Sequence, residues 1–128
     1  MYPSIEDICE LNRRVIETSG GRFVPPSNLA NQDALEYALA IITVSGAEFC
    51  PYPSLKEKAS ALAYHIISRH VFWDGNKRTG IITALTFLKT NGVVISVDRS
   101  LEDLAVAIAN GNAGIPAIHA WLQEHQKS

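Results

Sequence analysis

The sequence predicts an all-α fold: a single domain over residues 1–128, of about six helices with at most one short strand. Three observations lead there. Apolar residues recur at helical spacing almost from end to end. Ser-x-x-acid signatures stand ahead of several of those runs. Only Val93 to Val97 is β-branched enough to suggest extended chain. A chain of 128 residues is the size of one domain, and 47% hydrophobic content supports one real core without staples.

The elements follow in order. Ser4 precedes Ile5, Ile8, Leu11 and Val15, with Asp7 in the capping-box position, and the run stops at Gly20-Gly21. Arg22 to Ser27 contains Pro25-Pro26 and reads as a loop. Leu35, Ala38, Ile41 and Ile42 mark a second helix, and the breakers from Ser45-Gly46 to Pro51-Tyr52-Pro53 mark a second loop. Ser54 and Glu57 form a capping box ahead of Leu55, Ala59, Leu62, Ala63, Ile66 and Ile67. Small and apolar residues cover so much of this third helix that it should be largely buried. Ile81, Ile82, Leu85, Phe87 and Leu88 form a fourth helix, closed by Asn91-Gly92. Ser100, with Asp103 in the box position, is expected to cap a fifth through Leu101, Leu104, Ala105 and Ile108. Pro116 opens a last helix carrying Ile118, Trp121 and Leu122.

A net charge of −2 and a pI near 6.0 exclude a broad electrostatic footprint for direct nucleic-acid binding. No apolar run of roughly 18 residues is present, so no membrane span is expected, nor is there the basic-then-apolar start of a secretory leader. Cys9 and Cys50 are accordingly expected as reduced thiols in the cytoplasm. Neither has metal-site spacing.

Between the third and fourth helices the pattern breaks into a polar run, Asp74-Gly75-Asn76-Lys77-Arg78-Thr79. A loop that opens a helix presents unpaired N–H groups and the positive end of the dipole. Lys77 and Arg78 add two positive charges where acids are favoured, which is what a missing ligand anion would explain. Phosphate leads the candidates. Gly75 lets the backbone approach closely, and Asn76 can support the turn or donate from its amide. His70 is the nearby side chain able to take a proton near neutral pH, and so to act as general base on a hydroxyl. Asp74 is a hard oxygen ligand suited to Mg²⁺ held against bound phosphates. Phe72 alternates with His70 and should point inward. Base, metal carboxylate, anion nest and Arg together suit transfer of a phosphate-containing group to a hydroxyl.

The run from His70 to Arg78 resembles the signature of the Fic/Doc (Fido) superfamily, H-x-F-x-[DE]-G-N-G-R, through His70, Phe72, Asp74, Gly75, Asn76 and Arg78. Lys77 after Asn76, in N-K-R-T, looks like the Doc branch, the death-on-curing toxins. Tyr52 to Leu62 and Leu85 to Gly92 are weakly similar to the family as well. The resemblance implies a helical Fido core with the motif between two central helices. It also implies His70 as the base, Asp74 as the Mg²⁺ ligand, and Gly75, Asn76, Lys77 and Arg78 on the phosphates of ATP. In Fic proteins AMP is transferred from ATP, and the second motif glycine embraces the α-phosphate. Here that position is Lys77, and the later Fic arginine is Ile81. In the Doc branch this change goes with reversed ATP and transfer of the γ-phosphoryl to a threonine of elongation factor Tu, inhibiting translation. Gly75 is the Fic-like choice where the archetypal member of the Doc branch has alanine, so AMP transfer stands as the alternative, and a catalytically silent binding module as a third. A Phd-like antitoxin, encoded separately, is the partner the Doc branch implies. No glutamate here is followed by Gly or Asn, so the Fic inhibitory motif is absent. Ser45 to Pro53 falls where Fic proteins carry a target-docking flap.

Other features read more plainly. His65 and His70 do not share the i, i+4 spacing of a zincin pair, so His65 is structural. Gly75 and Gly80 mimic the opening of a P-loop, but Ile81-Ile82 follows in place of Lys-Ser/Thr and no strand precedes. Trp73 is open to a surface or a contact role, Arg69 is an outside candidate for substrate contact, and His119 and His125 are expected to face solvent.

Overall fold

A computed structural model describes residues 1–44 and 50–127. It contains six helices: α1 (Ile5–Ser19), α2 (Gln32–Thr43), α3 (Leu55–Ser68), α4 (Asn76–Thr90), α5 (Ser100–Ala109) and α6 (Ile115–His125). The fold is all-α. Among the described residues, extended pairing is limited to two isolated antiparallel bridges, Leu29 with Phe72 and Ile95 with Gln126. The β-branched run from Val93 therefore makes one bridge at Ile95 rather than a strand.

Helix starts follow the capping chemistry with two differences. Ser4 and Asp7 close a full capping box on α1. At α3 only half of the box forms: Ser54 Oγ accepts from the Glu57 N–H at 3.1 Å. At α5 the expected Ser100 cap is corrected. Ser100 is the first helical residue, and the Asp98 carboxylate accepts both its N–H, at 2.9 Å, and its hydroxyl. The charged acceptor two residues upstream outcompetes the hydroxyl, which instead accepts the Trp121 indole N–H at 2.7 Å.

Helix α3 lies at the centre, packed against α2, α4, α5 and α6. Its apolar faces serve two clusters. Leu62 and Ile66 pack with Ile8, Leu35, Ile42 and Phe72 on the α1–α2 side. Ala63 and Ile67 pack with Phe87, Leu88, Ile108 and Trp121 on the other. Each fully buried Leu or Ile contributes roughly 1.5–3 kcal/mol. The α3–α4 contact is especially close. A Cβ on Gly80 would lie 2.7 Å from Ile67 Cγ1 and 3.1 Å from the Ala63 carbonyl oxygen. The glycine that imitates a P-loop thus has a packing role, and the motif at the start of α4 is braced on α3. Lys58 is buried in α3, and its ammonium donates to the Ile42 carbonyl at 2.7 Å, closing the end of α2.

Candidate active site

His70 sits just past the end of α3. The chain turns there through a left-handed residue, with His70 at φ 49°, and the Val71 N–H returns to the Ile66 carbonyl at 3.4 Å. Glycine usually fills this helix-closing position. A residue with a Cβ costs about 1–2 kcal/mol in that conformation. The His70 side chain is exposed, while Val71 and Phe72 are buried and anchor the turn. Phe72 points inward, as its alternation with His70 predicts.

The next residues are held by backbone bonds from elsewhere. The Val71 carbonyl accepts the N–H groups of Ala30 (2.8 Å) and Asn31 (3.0 Å), and the Trp73 N–H donates to the Asn28 carbonyl at 3.0 Å. Asn76 reaches back onto the loop. Its Oδ1 accepts the Phe72 N–H and its Nδ2 donates to the Phe72 carbonyl, both at 2.8 Å. Asn76 therefore supports the turn with its whole amide.

Asp74 is exposed and doubly gripped. The Arg22 N–H donates to Oδ2 and the Gly75 N–H to Oδ1, both at 2.8 Å. These two N–H groups, Arg22's first, hold the carboxyl below the usual carboxylate range, with Lys77 and the Arg22 charge adding to the effect. Each oxygen retains acceptor capacity for a cation. Among the described residues no group of three or more His, Cys, Asp or Glu could hold a metal. A single ionised carboxylate still fits Mg²⁺ that is carried mainly by phosphates and water.

Helix α4 opens at Asn76 with Gly75 as its left-handed N-cap, φ 77°, and no side chain caps it. Helices α1, α2, α3 and α5 each carry acid in the first turn; α4 and α6 carry none, and in α4 the second and third residues are Lys77 and Arg78. Both are exposed, and the Arg78 guanidinium donates to the Ser19 hydroxyl. They stand at one end of a groove of about 710 Å³ that runs past Ile81 and Ile82 to Leu101 and Val106. His70, Asp74, Gly75, Asn76, Lys77 and Arg78 thus occupy one continuous turn, loop and helix start.

Sequence reasoning missed the supports behind this loop. Asn12, in α1, and Asn28 are fully buried. Asn12 donates to the Asp74 carbonyl and to Thr79 Oγ1, and accepts from Asn28, each at 3.0 Å. One signal was available: Asn12 falls four residues after Ile8 and three before Val15, on the apolar face of α1. Asn28 and the Gly21-Arg22 contact with Asp74 had no local signal.

Elsewhere, His65 is buried, edge-on to Tyr37 and Tyr64 at 5.5 Å, with Nδ1 unpartnered, in keeping with a structural residue. The expectation for His125 is corrected. It stacks on Trp121 at 3.8 Å and bridges the Trp121 carbonyl and Asp98, because two acceptors and an indole face outcompete water. His119 is half-buried. Trp73 is 52% exposed with the Arg22 guanidinium 5.5 Å from its ring centre, and Arg69 is exposed beside His70. Cys9 and Cys50 are unpaired. Most of the Ser45 to Pro53 flap lies outside the described residues. No helix among the described residues is long and apolar enough to cross a membrane.

Residues 2–88 match the Fic/DOC family, and the chain belongs to it. It is 39% identical over 83 residues to the toxin Doc of Mycolicibacterium smegmatis, a match covering 62% of each chain. It is 41% identical over 54 residues to the protein kinase doc of Escherichia phage P1, covering 42% of this chain and 43% of that one. The chain thus spans less than two thirds of the length of either relative.

Proposed function

We propose that this chain is a Doc-like toxin that transfers the γ-phosphoryl of ATP to a protein hydroxyl. One observation carries the reading: α4 begins uncapped, without acid, on Gly75, with Lys77 and Arg78 in its first turn and His70 across the loop. That arrangement sets two cations in a first turn that holds no acid, with the ionised Asp74 just before it and His70 just upstream in the chain. The names of the two relatives, a Doc toxin and a protein kinase, support the same direction.

In this reading His70 takes the proton of the acceptor hydroxyl as its oxygen bonds the γ-phosphorus. The bond from that phosphorus to the β–γ bridging oxygen breaks, and ADP leaves. The N–H groups from Asn76 onward, which Gly75 leaves open to close approach, bind phosphate oxygens with Arg78, and Lys77 meets the charge building on the departing diphosphate. Asp74, kept ionised by Arg22 and Gly75, would hold Mg²⁺, which supplies charge neutralisation on the phosphates when bound. The acceptor proposed is a threonine of elongation factor Tu, in the cytoplasm, with translation arrested as the outcome. A Phd-like antitoxin is the proposed regulator.

Gly75 is the feature that favours AMP transfer instead. The structure offers it a local reason: with φ 77°, its Cβ would also lie 3.0 Å from Ile16 Cδ1 and 3.2 Å from Asn12 Nδ2. Close packing on α1 thus accounts for glycine without reference to the donor's orientation. Incubating chain and elongation factor Tu with ATP labelled at the α- or the γ-phosphate tests the reading. Label from the γ position alone is expected, and transfer from α overturns the kinase. Growth arrest that persists in a His70→Ala variant would point to a silent binding module.

A further inference from the structure

The buried asparagine pair behind the loop forms a one-way chain of hydrogen bonds. The Val24 N–H donates to Asn28 Oδ1 at 2.7 Å, which leaves Asn28 Nδ2 to donate to Asn12 Oδ1 at 3.0 Å. Asn12 must then present its NH₂ group in the other direction. Its two hydrogens meet the Asp74 carbonyl and Thr79 Oγ1, each at 3.0 Å. Asn12, Asn28 and Thr79 are all 0% exposed, so each amide orientation is set by protein partners alone.

The contact with Asp74 has a consequence for the next residue. In a trans peptide the C=O and the following N–H point in opposite directions. With the Asp74 carbonyl drawn inward by Asn12, the Gly75 N–H must face outward, where it donates to the exposed Asp74 Oδ1. We propose that Asn12 is a positioning residue. By holding the Asp74 carbonyl from inside, it aims the Gly75 N–H at the Asp74 carboxylate and sets the start of α4 toward the anion. Its place on α1 makes a helix remote in sequence part of the phosphate site. This rests on the reading of that helix start as the phosphate site.

The test uses the full ¹⁵N-labelled chain, with Asn12→Leu compared to Leu122→Ala, a core truncation in the opposite cluster that controls for lost stability. Two readouts are taken below both melting temperatures: the amide resonances of Gly75 and Asn76 without ligand, and the dissociation constant for ADP with Mg²⁺. Asn12→Leu is expected to move or broaden the Gly75 and Asn76 resonances and to weaken ADP binding tenfold or more, while Leu122→Ala changes neither. Unchanged Gly75 resonances, or an affinity within twofold of the control, overturn the proposal. If Asn12→Leu does not fold, Asn28→Gly is measured instead; it removes the orienting amide at a left-handed position (φ 62°) that glycine accepts. An absence of ADP binding by the unaltered chain would defeat the phosphate reading itself, and the Gly75 resonances would then decide the role of Asn12 alone.

Discussion

The backbone N–H of Arg22 meets Oδ2 of Asp74 at 2.8 Å across 52 residues of sequence. The contact depends on Gly21, whose φ of 127° brings the chain so close that a Cβ there would lie 2.8 Å from the same oxygen. Gly21→Ala should therefore push the carboxylate aside and strain the backbone, costing about 1–3 kcal/mol. Urea denaturation measures the loss, and Mg²⁺ titration of transfer activity should show a higher Mg²⁺ requirement. Unaltered stability and Mg²⁺ dependence would mean that the clamp on Asp74 is dispensable.

His70 occupies the left-handed closing position of α3, where a side chain is a liability and glycine is not. His70→Gly should raise stability by about 1 kcal/mol while abolishing transfer. Thermal melts and the γ-label assay read the two effects separately. A destabilised His70→Gly protein would show that the imidazole makes contacts that outweigh its backbone strain.

The motif and the helices were legible for one physical reason: both are written in local pattern. Ser4-x-x-Asp7 and the spacing of Leu35, Ala38 and Ile42 depend on neighbours within a turn or two. The anion site proposed at Gly75 to Arg78 likewise rests on charge set against the dipole of a single helix. What stayed hidden is long-range. Asn12 and Asn28 become partners through the packing of α1 against α4, and Arg22 acts through its N–H, which any residue but proline possesses. At α5, Ser100 displays a cap signature, yet Asp98 provides the stronger acceptor, and the Ser100 hydroxyl is taken up by Trp121, 21 residues away.

Gly80 sets the approach of α4 to α3. A methyl there would collide with Ile67 and approach the Ala63 carbonyl oxygen, neither of which can move freely in a close-packed core. Gly80→Ala should destabilise by about 1–3 kcal/mol despite its better helix propensity. Differential scanning calorimetry checks the sign. A stabilised variant would show that the interface can relax.

Two histidines give the fold opposite pH dependences. His125 has an acceptor at each ring nitrogen, the Trp121 carbonyl at 2.8 Å and Asp98 at 3.0 Å, so only the imidazolium donates to both. The Trp121 carbonyl first, then Asp98, raise its pKa above 6.5, and Glu124 adds to the effect. Its stabilisation is therefore complete below 6.5 and is lost as pH rises through the higher folded value. Asp98 is lowered by Ser100 and His125, so its share is lost only as pH falls through that depressed value. His65 behaves the other way. Burial, then the charge of Arg69, lower its pKa, so the neutral ring's stabilisation is present above 6.5 and lost as pH falls toward the lower folded value. Melting temperatures from pH 5 to 9 should separate the two. Asp98→Asn should melt below the parent chain throughout, because the carboxylate also accepts at Ser100, with a larger deficit at pH 6 than at pH 9, whereas His65→Phe should flatten the decline on the acid side. A deficit of the same size at pH 6 and pH 9 would show that Asp98 acts through Ser100 alone and that its contact with His125 does not depend on the imidazolium charge.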